Sequence, residues 1–273
     1  MIIENMSNTE YHARPEVSKS LLDKVNQSPA HYKAYKDGII TNETTPAMIK
    51  GSALHILCLE PHKAATEIAV KPDVDGRTKD GKTVIADFVA NCEGKLILSH
   101  KDYQAVDGMA TSLANSPFAS LFKCGKAEAS LFAEIDGVNV RAKPDFIGDN
   151  GFIYDLKSTD NASDEAFDRS IFNYRYYVQA AFYWDIYALC YGREPQGFTL
   201  VPVESSLPHN AGKLVTFYPD NKLLEYGRQE YRRNLATLKE CRETGNFYGY
   251  FKNIEDAQRE AVMPAWLERR LAA

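Results

Sequence analysis

Two acidic residues and a lysine, Asp145, Asp155 and Lys157, have the types and spacing used in metal-dependent phosphoryl chemistry. Asp155 and Lys157 are two apart in the run FIYDLK, whose alternation predicts a short strand with both side chains on one face. Asp145 precedes the turn-rich segment Gly148-Asp149-Asn150-Gly151, and a hairpin there would bring it beside Asp155. Paired carboxylates bind Mg²⁺ through oxygen. The lysine could orient a water or offset charge on a phosphoryl group.

Short patterns recur by chance, so the same residues also fit a surface hairpin with a solvated Asp155–Lys157 pair. His55 is a further candidate because it lies in the apolar helical run AMIKGSALHILCLEP. Gly51 and Ser52, four and three residues before it, share its side of the helix and leave room for a ligand. A histidine in such a run is either a satisfied core residue or a metal ligand.

The strands that would position these residues are predicted from alternation and turns. Ala127 to Ile135 alternates cleanly, and Asp136-Gly137 is a hairpin signal that pairs it with a strand from Val138 to Ile147. With FIYDLK, we expect one three-stranded antiparallel sheet. Glu128 or Glu134 could then add a further carboxylate to the same edge.

Helices are predicted on both sides of this sheet in the sequence. A helix from Asp164 to Phe172 is followed by one from Arg175 to Cys190, on which Gln179 and Tyr183 are four apart and share a face. Ser18 is a candidate N-cap, although the helix start with Ser18, Lys19 and Ser20 could instead receive a phosphate. Later patterns predict further elements: strands over 197–203 and 214–218, a helix over 221–244 and a final helix from Met263.

The segment from Lys71 to Lys82, KPDVDGRTKDGK, predicts an exposed, mobile loop because it is rich in Gly, Pro and charge. Arg77 and Lys82 make it the best basic patch of the N-terminal half. These charges are either simply solvated or in contact with a DNA backbone.

Composition indicates a globular protein: 273 residues, 44% hydrophobic and 25% charged. No repeat or linker divides the chain, so we expect a single domain over 1–273. A net charge of −5 argues against a broad basic nucleic-acid surface, though not against a nuclease with local basic patches. The apolar run from Val178 to Leu189 is broken by Asp185, and the N-terminal segment lacks a signal-peptide pattern. We therefore expect a cytoplasmic protein without a membrane span.

The cysteines are scattered singly, and no C-x-x-C pair occurs that would indicate zinc or an iron–sulfur cluster. We expect them to be small, reduced core residues. They are Cys58, Cys92, Cys124, Cys190 and Cys241.

Taken in order, these motifs resemble the PD-(D/E)XK nuclease superfamily and, more narrowly, the nuclease domain of RecE-type exonucleases (exonuclease VIII) of prophages. The ordered set is GSALH with LEP, then Glu128, Pro144-Asp145, Asp155-Leu156-Lys157, and Gln179 with Tyr183. The resemblance extends nearly from end to end, from YHA and VSKSLLDKV to QEYRRNL and MPAW. One departure is Lys143, where this family usually has arginine, so charge is kept but bidentate geometry is lost.

The resemblance implies a mixed α/β fold: a central mixed β-sheet flanked by helices, with a restriction-endonuclease-like PD-(D/E)XK core. It implies Mg²⁺ or Mn²⁺ at Asp145, Asp155 and the Leu156 carbonyl, with His55 at a second metal, Glu128 lining the site and Lys157 serving the nucleophilic water. By the same match, Gln179 and Tyr183 would position Lys157 or the DNA backbone.

Such relatives digest double-stranded DNA processively from 5′ ends as homo-oligomeric rings, and their usual partner is a single-strand annealing protein. Basic residues such as Arg77 and Lys82 could line the channel of a trimeric or tetrameric ring while its exterior stays negative. Two alternatives stay open. One is an endonuclease or flap-type nuclease of the same superfamily, and the other is a catalytically silent DNA-binding module on the same fold.

Overall fold

The structure, a computed structural model, describes residues 1–41 and 43–271, in which helices accompany three β-sheets. The strands are β1 (Ile2–Ile3), β2 (Ile68–Val70), β3 (Leu96–Leu98), β4 (Gly125–Ala127), β5 (Ser130–Ile135), β6 (Val138–Ala142), β7 (Phe146–Gly148), β8 (Phe152–Thr159), β9 (Gly197–Glu204) and β10 (Val215–Phe217). The helices are α1 (Asn8–Ala13), α2 (Lys19–Gln27), α3 (Pro29–Lys36), α4 (Pro46–Leu59), α5 (Ala64–Glu67), α6 (Lys79–Asn91), α7 (His100–Ala114), α8 (Asp164–Asn173), α9 (Tyr176–Tyr191), α10 (Lys222–Thr244) and α11 (Ala265–Leu271). Short 3-10 helices cover Pro61–Lys63 and Glu255–Ala257.

The largest sheet is mixed, as the family resemblance implies. Its strand order is β10-β9-β8-β7-β4, and β8 and β9 run parallel while the other neighbours are antiparallel. On one face, Tyr154 and Leu156 of β8 pack in one core with Leu54 of α4 and Met109 of α7. The expected fold class, a mixed sheet flanked by helices, is therefore confirmed.

The prediction of one three-stranded antiparallel sheet is wrong. β5 and β6 pair through the predicted Asp136-Gly137 turn, where both residues have positive φ, but they belong to a separate sheet of order β1-β5-β6. The predicted strand from Val138 to Ile147 is broken at residues 143–145, because Pro144 has no N–H for a ladder hydrogen bond. After the break it continues as β7, which pairs with β8 across the predicted hairpin.

Several element boundaries also differ from the prediction. Only residues 71–78 of the expected loop lack regular structure, since Thr78 caps α6 by accepting a hydrogen bond from the Gly81 N–H and Lys82 lies in its first turn. The parallel pair β2–β3 was not predicted from the sequence. Cys124 is exposed rather than a core residue.

The helices that carry site residues begin and end where their caps indicate. The Thr45 side chain accepts the Met48 N–H to start α4, which ends before Pro61. α9 ends at Gly192, which has a φ of 66° and so adopts the left-handed conformation of a C-terminal cap. Both helices follow the predicted ranges closely.

Contacts between Cα atoms divide the chain into two compact units. The first comprises Met1–Lys19 and Asn42–Arg233, and it contains all three sheets. The second comprises Ser20–Thr41 and Asn234–Ala273, in which Tyr32 stacks on Phe247. The single domain stays a prediction. Within the two described ranges, no helix combines the length and apolar character needed to cross a membrane.

Candidate active site

β8 places Asp155 and Lys157 on one face and Leu156 on the other, as the alternation predicts. Leu156 is buried in the core beneath α4 and α7, whereas Asp155, fully buried, and Lys157 face α9. The Lys157 Nζ lies 2.5 Å from the Asp155 Oδ2, which accepts no hydrogen bond of normal geometry. The buried carboxylate is therefore held chiefly by the charge of its neighbouring lysine on this side.

Glu128 and Asp145 lie where two neighbouring strands pass from one sheet to the other. β4 continues into β5 through Glu128, which has a φ of 51°, and β6 continues into β7 through Asp145. The Glu128 N–H donates to the Asp145 carbonyl at 3.0 Å, so the two crossings are fastened together. We call the pair of residues Glu128 and Asp145 the strand crossing. Its backbone conformation places two carboxylates side by side at the edge of β8.

The Asp145 carboxylate is fixed by β8 itself, since its Oδ2 accepts the Leu156 N–H at 2.7 Å. From α4, the His55 Nε2 lies 3.1 Å from the Leu156 carbonyl oxygen. The His55 Nδ1 is 3.5 Å from the Asp145 Oδ1 and 3.7 Å from the Glu128 Oε1. The structure thus gathers the predicted histidine, both crossing carboxylates and the Leu156 carbonyl at one place.

The electrostatics of the site show crowded negative charge. Burial and then the neighbouring Asp155 charge raise the pKa of Asp145 to about 7. Burial disfavours the His55 imidazolium, but the Asp145 and Glu128 carboxylates outweigh burial and raise its pKa to about 9. Burial also opposes the Lys157 ammonium, yet Asp155 and Asp145 raise its pKa above the ordinary value. Each of these raised pKa values indicates that positive charge stabilises the site.

Gln179 of α9 connects the two reactive groups of β8. Its Nε2 donates to the Asp155 Oδ1 at 2.6 Å, and its Oε1 accepts from the Lys157 Nζ at 3.1 Å. Tyr183, one turn later, makes no hydrogen bond to Lys157 within the described residues, and burial raises its pKa well above the ordinary value. Of the two helix residues predicted to position Lys157, the structure therefore places Gln179 in contact with it.

Two residues of the site were not predicted as such. The Lys157 Nζ lies 4.6 Å from the ring centroid of Tyr176, within cation–π range, and Tyr176 precedes Gln179 by the three residues that share a helix face. Lys143, seen in the sequence only as a departure from arginine, lies with its Nζ 3.5 Å from the Glu128 Oε2. It also donates to the Asn8 Oδ1 at 2.7 Å, so it links α1 to the strand crossing.

The residues predicted to bind DNA are spread more widely. Ser18 is buried before α2, and the Lys19 Nζ donates to the Tyr174 carbonyl. Ser20 begins the second compact unit. Arg77 and Lys82 are exposed, and neither lines the cavity of about 790 Å³ that contains His55, Glu128 and Asp145.

The donor atoms fit a divalent metal ion. Ligand atoms of His55, Glu128 and Asp145 all lie within 4.8 Å of one another. Carboxylate and carbonyl oxygens are the donors that Mg²⁺ prefers, and Mn²⁺ also accepts imidazole. The raised pKa of Asp145 has the same meaning, since a cation would relieve the repulsion that its carboxylate experiences. The Leu156 carbonyl and Asp155 complete the set of adjacent oxygen donors.

Comparisons with known proteins found one matching family and similar solved structures. A family model described as a "PDDEXK-like domain of unknown function (DUF3799)" matches residues 18–256. A crystal structure from Eubacterium rectale, described as a "Putative exonuclease", has 12% identity and a TM-score of 0.65 over 99% of both chains. The structure of SSO0001 has 12% identity and a TM-score of 0.31 over 81% of this chain and 85% of that one, too low to support an argument. No curated protein matches the chain significantly.

Proposed function

Because the chain belongs to the family of PDDEXK-like domains, which bears out the resemblance read from its motifs, we propose that it is a metal-dependent exonuclease of double-stranded DNA. It would act processively from 5′ to 3′, release mononucleotides and leave 3′ single strands for recombination by annealing. The observation that carries this proposal is the gathering of Asp145, Asp155 and Lys157 beside the His55 imidazole. The shared fold with a protein described as an exonuclease is in keeping with it.

In this proposal the strand crossing and His55 would hold the cation, together with the Leu156 carbonyl and Asp155. Mg²⁺ or Mn²⁺ bound there would lower the pKa of a water and neutralise charge on the scissile phosphate. Asp145 is kept in place by the Leu156 N–H, so its free oxygen faces His55 and Glu128. Binding of a cation by His55 would release the imidazole proton, so the raised pKa of His55 makes metal affinity fall as pH is lowered.

Lys157 would serve the attacking water and the developing charge on the phosphate. Its ammonium is held from three sides, by the Asp155 carboxylate, the Gln179 carbonyl oxygen and the Tyr176 ring. These contacts keep the amine protonated, and the pKa of Lys157 is accordingly raised. A fixed cation of this kind acts mainly by orientation and charge rather than by accepting a proton.

The deciding experiment is digestion of end-labelled linear duplex DNA with Mg²⁺, with and without a 5′-phosphate, beside closed circular DNA. Asp155→Ala should abolish digestion, and Asp155→Asn, which keeps the side-chain volume, should do the same. Asp168→Ala, which removes an exposed carboxylate of α8, is the matched control. Wild-type digestion by both Asp155 variants would remove this residue from the chemistry. Cleavage of the closed circle would favour an endonuclease.

Assembly and partners are part of the same proposal. We propose a homo-oligomeric ring, a trimer or tetramer, that threads duplex DNA in the cytoplasm and cooperates with a single-strand annealing protein. The acidic net charge of −5 motivates it, because basic residues such as Arg77 and Lys82 would then be gathered at the channel. Mass photometry at working concentration measures this directly, and monomers alone would count against a ring.

A further inference from the structure

A second cavity, of about 350 Å³, opens where β8 ends, directly after Lys157. This volume is at the lower end of the roughly 300–1,000 Å³ typical of small-molecule pockets, which suits a group the size of one nucleotide. We call it the β8-end cavity. Its lining includes hydroxyl groups, one ammonium group, one carboxylate and two aromatic rings: Ser158, Ser205, Lys50, Asp160, Tyr174 and Tyr176.

Tyr174 and Tyr176 form a continuous aromatic surface, which we call the tyrosine step, between solvent and Lys157. The Tyr174 and Tyr176 rings are stacked, with centroids 5.6 Å apart and planes inclined by 26°. Tyr176 carries the Lys157 ammonium at its ring, whereas Tyr174 is 62% exposed. Tyr174 is therefore not a core residue, and its ring extends the aromatic surface of the site outward.

The turn that presents this step is fixed on both sides. Arg175, between the two tyrosines, has a φ of 54°, a left-handed conformation that is unfavourable for a residue with a side chain. The Arg175 guanidinium pairs with Glu230 at 3.2 Å, and the Lys19 ammonium donates to the Tyr174 carbonyl at 2.8 Å. A strained turn held by two charged contacts gives the exposed ring a defined position.

An exposed ring beside phosphate-cleaving groups suits a nucleobase, because every base has a π-face that can stack on tyrosine. Lys50 and Ser158 supply donors for the sugar or phosphate of the same nucleotide. Among the described residues, Lys50 makes a 3.8 Å ion pair with Asp102, and because both side chains are about one-third exposed, this pair contributes little and can rearrange. Stacking of this kind recognises a base without selecting its sequence.

We propose that the β8-end cavity seats the terminal nucleotide of the strand being digested, with its base stacked on Tyr174. This inference rests on the proposed exonuclease function and specifies how that function would hold its substrate. Tyr174 acts here as a binding residue, and Tyr176 joins the base to the Lys157 environment. The seat accepts all four bases, so digestion should proceed through mixed sequence without strong pauses.

The test uses linear duplex DNA carrying the fluorescent base 2-aminopurine at the 5′ terminus, bound in Ca²⁺ so that binding is observed without Mg²⁺-supported cleavage. Wild-type protein should quench this fluorescence by stacking, and Tyr174→Phe should retain the quenching. Tyr174→Ala and Tyr174→Leu should lose it and bind about tenfold more weakly, within the range of one base–aromatic stack. Circular dichroism establishes which of these two variants is folded and is to be interpreted.

Tyr226→Ala is the matched control, because Tyr226 is 49% exposed and stacks on Tyr177 with a centroid distance of 5.6 Å, yet does not line the cavity. It should quench and bind as wild type does. If wild-type protein digests unmodified duplex DNA but folded Tyr174→Ala or Tyr174→Leu protein still quenches fully, the nucleotide seat is refuted while the exonuclease stands. If wild-type protein neither binds nor digests duplex DNA, the proposed function itself fails and the seat with it.

Discussion

Replacing Gln179 by methionine tests whether Asp155 and Lys157 work as one unit. The change keeps the volume and flexibility of the side chain but removes both polar contacts, the 2.6 Å hydrogen bond to Asp155 and the 3.1 Å hydrogen bond from Lys157. Asp155 is fully buried, so no water replaces the lost donor at its Oδ1. The remaining ion pair leaves the ammonium attached to the carboxylate but free to change its angle.

The magnitude follows from the groups involved. A hydrogen bond to a charged group contributes about 1.5–3 kcal/mol, and the loss of one such bond from the transition state lowers kcat by roughly 10- to 150-fold. Replacing a residue that orients metal ligands typically lowers metal affinity or activity by about 10- to 100-fold, a range that agrees with this decrease in kcat. Because Gln179 does not line the β8-end cavity, KM should change by less than about threefold.

The assay is single-turnover digestion of labelled duplex in Mg²⁺ beside an equilibrium binding titration. Gln104→Met on α7 is the control, since Gln104 is exposed and its side chain hydrogen-bonds with the nearby His100. Gln179→Glu should be slower than Gln179→Met, because an oxygen would then face the Asp155 carboxylate. A folded Gln179→Met protein with wild-type kcat would refute the coupling of Asp155 and Lys157 through this residue.

Three further predictions concern charge, pH and packing. Lys157→Ala should lower the digestion rate by about 10²–10³ with little loss of DNA affinity, whereas equal losses in kinetics and binding would make it a binding residue. Folding raises the pKa of His55 from 6.5 to about 9 and that of Asp145 from 3.8 to about 7, so the folded protein binds both protons more tightly than the unfolded chain. The protonated groups therefore stabilise the fold at low pH, and this contribution to the free energy of unfolding is lost as pH rises through the folded-state pKa values. The Tm of metal-free protein should therefore fall from pH 6 to 9 and recover with Mg²⁺; a flat profile in scanning fluorimetry would contradict this. Gly227→Ala would press a Cβ onto a backbone carbonyl of α9 and should destabilise the fold by about 1–3 kcal/mol in thermal denaturation, whereas Gly249→Ala, which has open space, should not.

Local chemistry made much of the fold predictable. The helices α4, α8 and α9 follow from periodicity and capping, and the Asp136-Gly137 and 148–151 turns follow from residues that tolerate positive φ. These signals depend on neighbours in sequence. The start of α6 was missed because the same polar residues that suit a loop, such as Thr78, also suit an N-cap.

The residues of the candidate site could be predicted from the sequence, but the strand arrangement that positions them could not. His55, Asp145, Asp155 and Lys157 were found by type and order, and the structure brings them together. The passage of two strands between sheets was not, because sheet partnership depends on contacts over long sequence separations that alternation cannot specify. The same limit hid the contact of Lys143 with Glu128.

The strand crossing has a consequence for how the fold tolerates change. The backbone hydrogen bond from Glu128 to Asp145 joins the two strands where they pass between sheets. A shift of either sheet should therefore move the backbones of both acidic residues together. What remains adjustable is the approach of His55 from α4, which contacts this pair only through its side chain. Substitutions in the surrounding sequence should therefore change the position of the His55 side chain before they change the positions of Glu128 and Asp145.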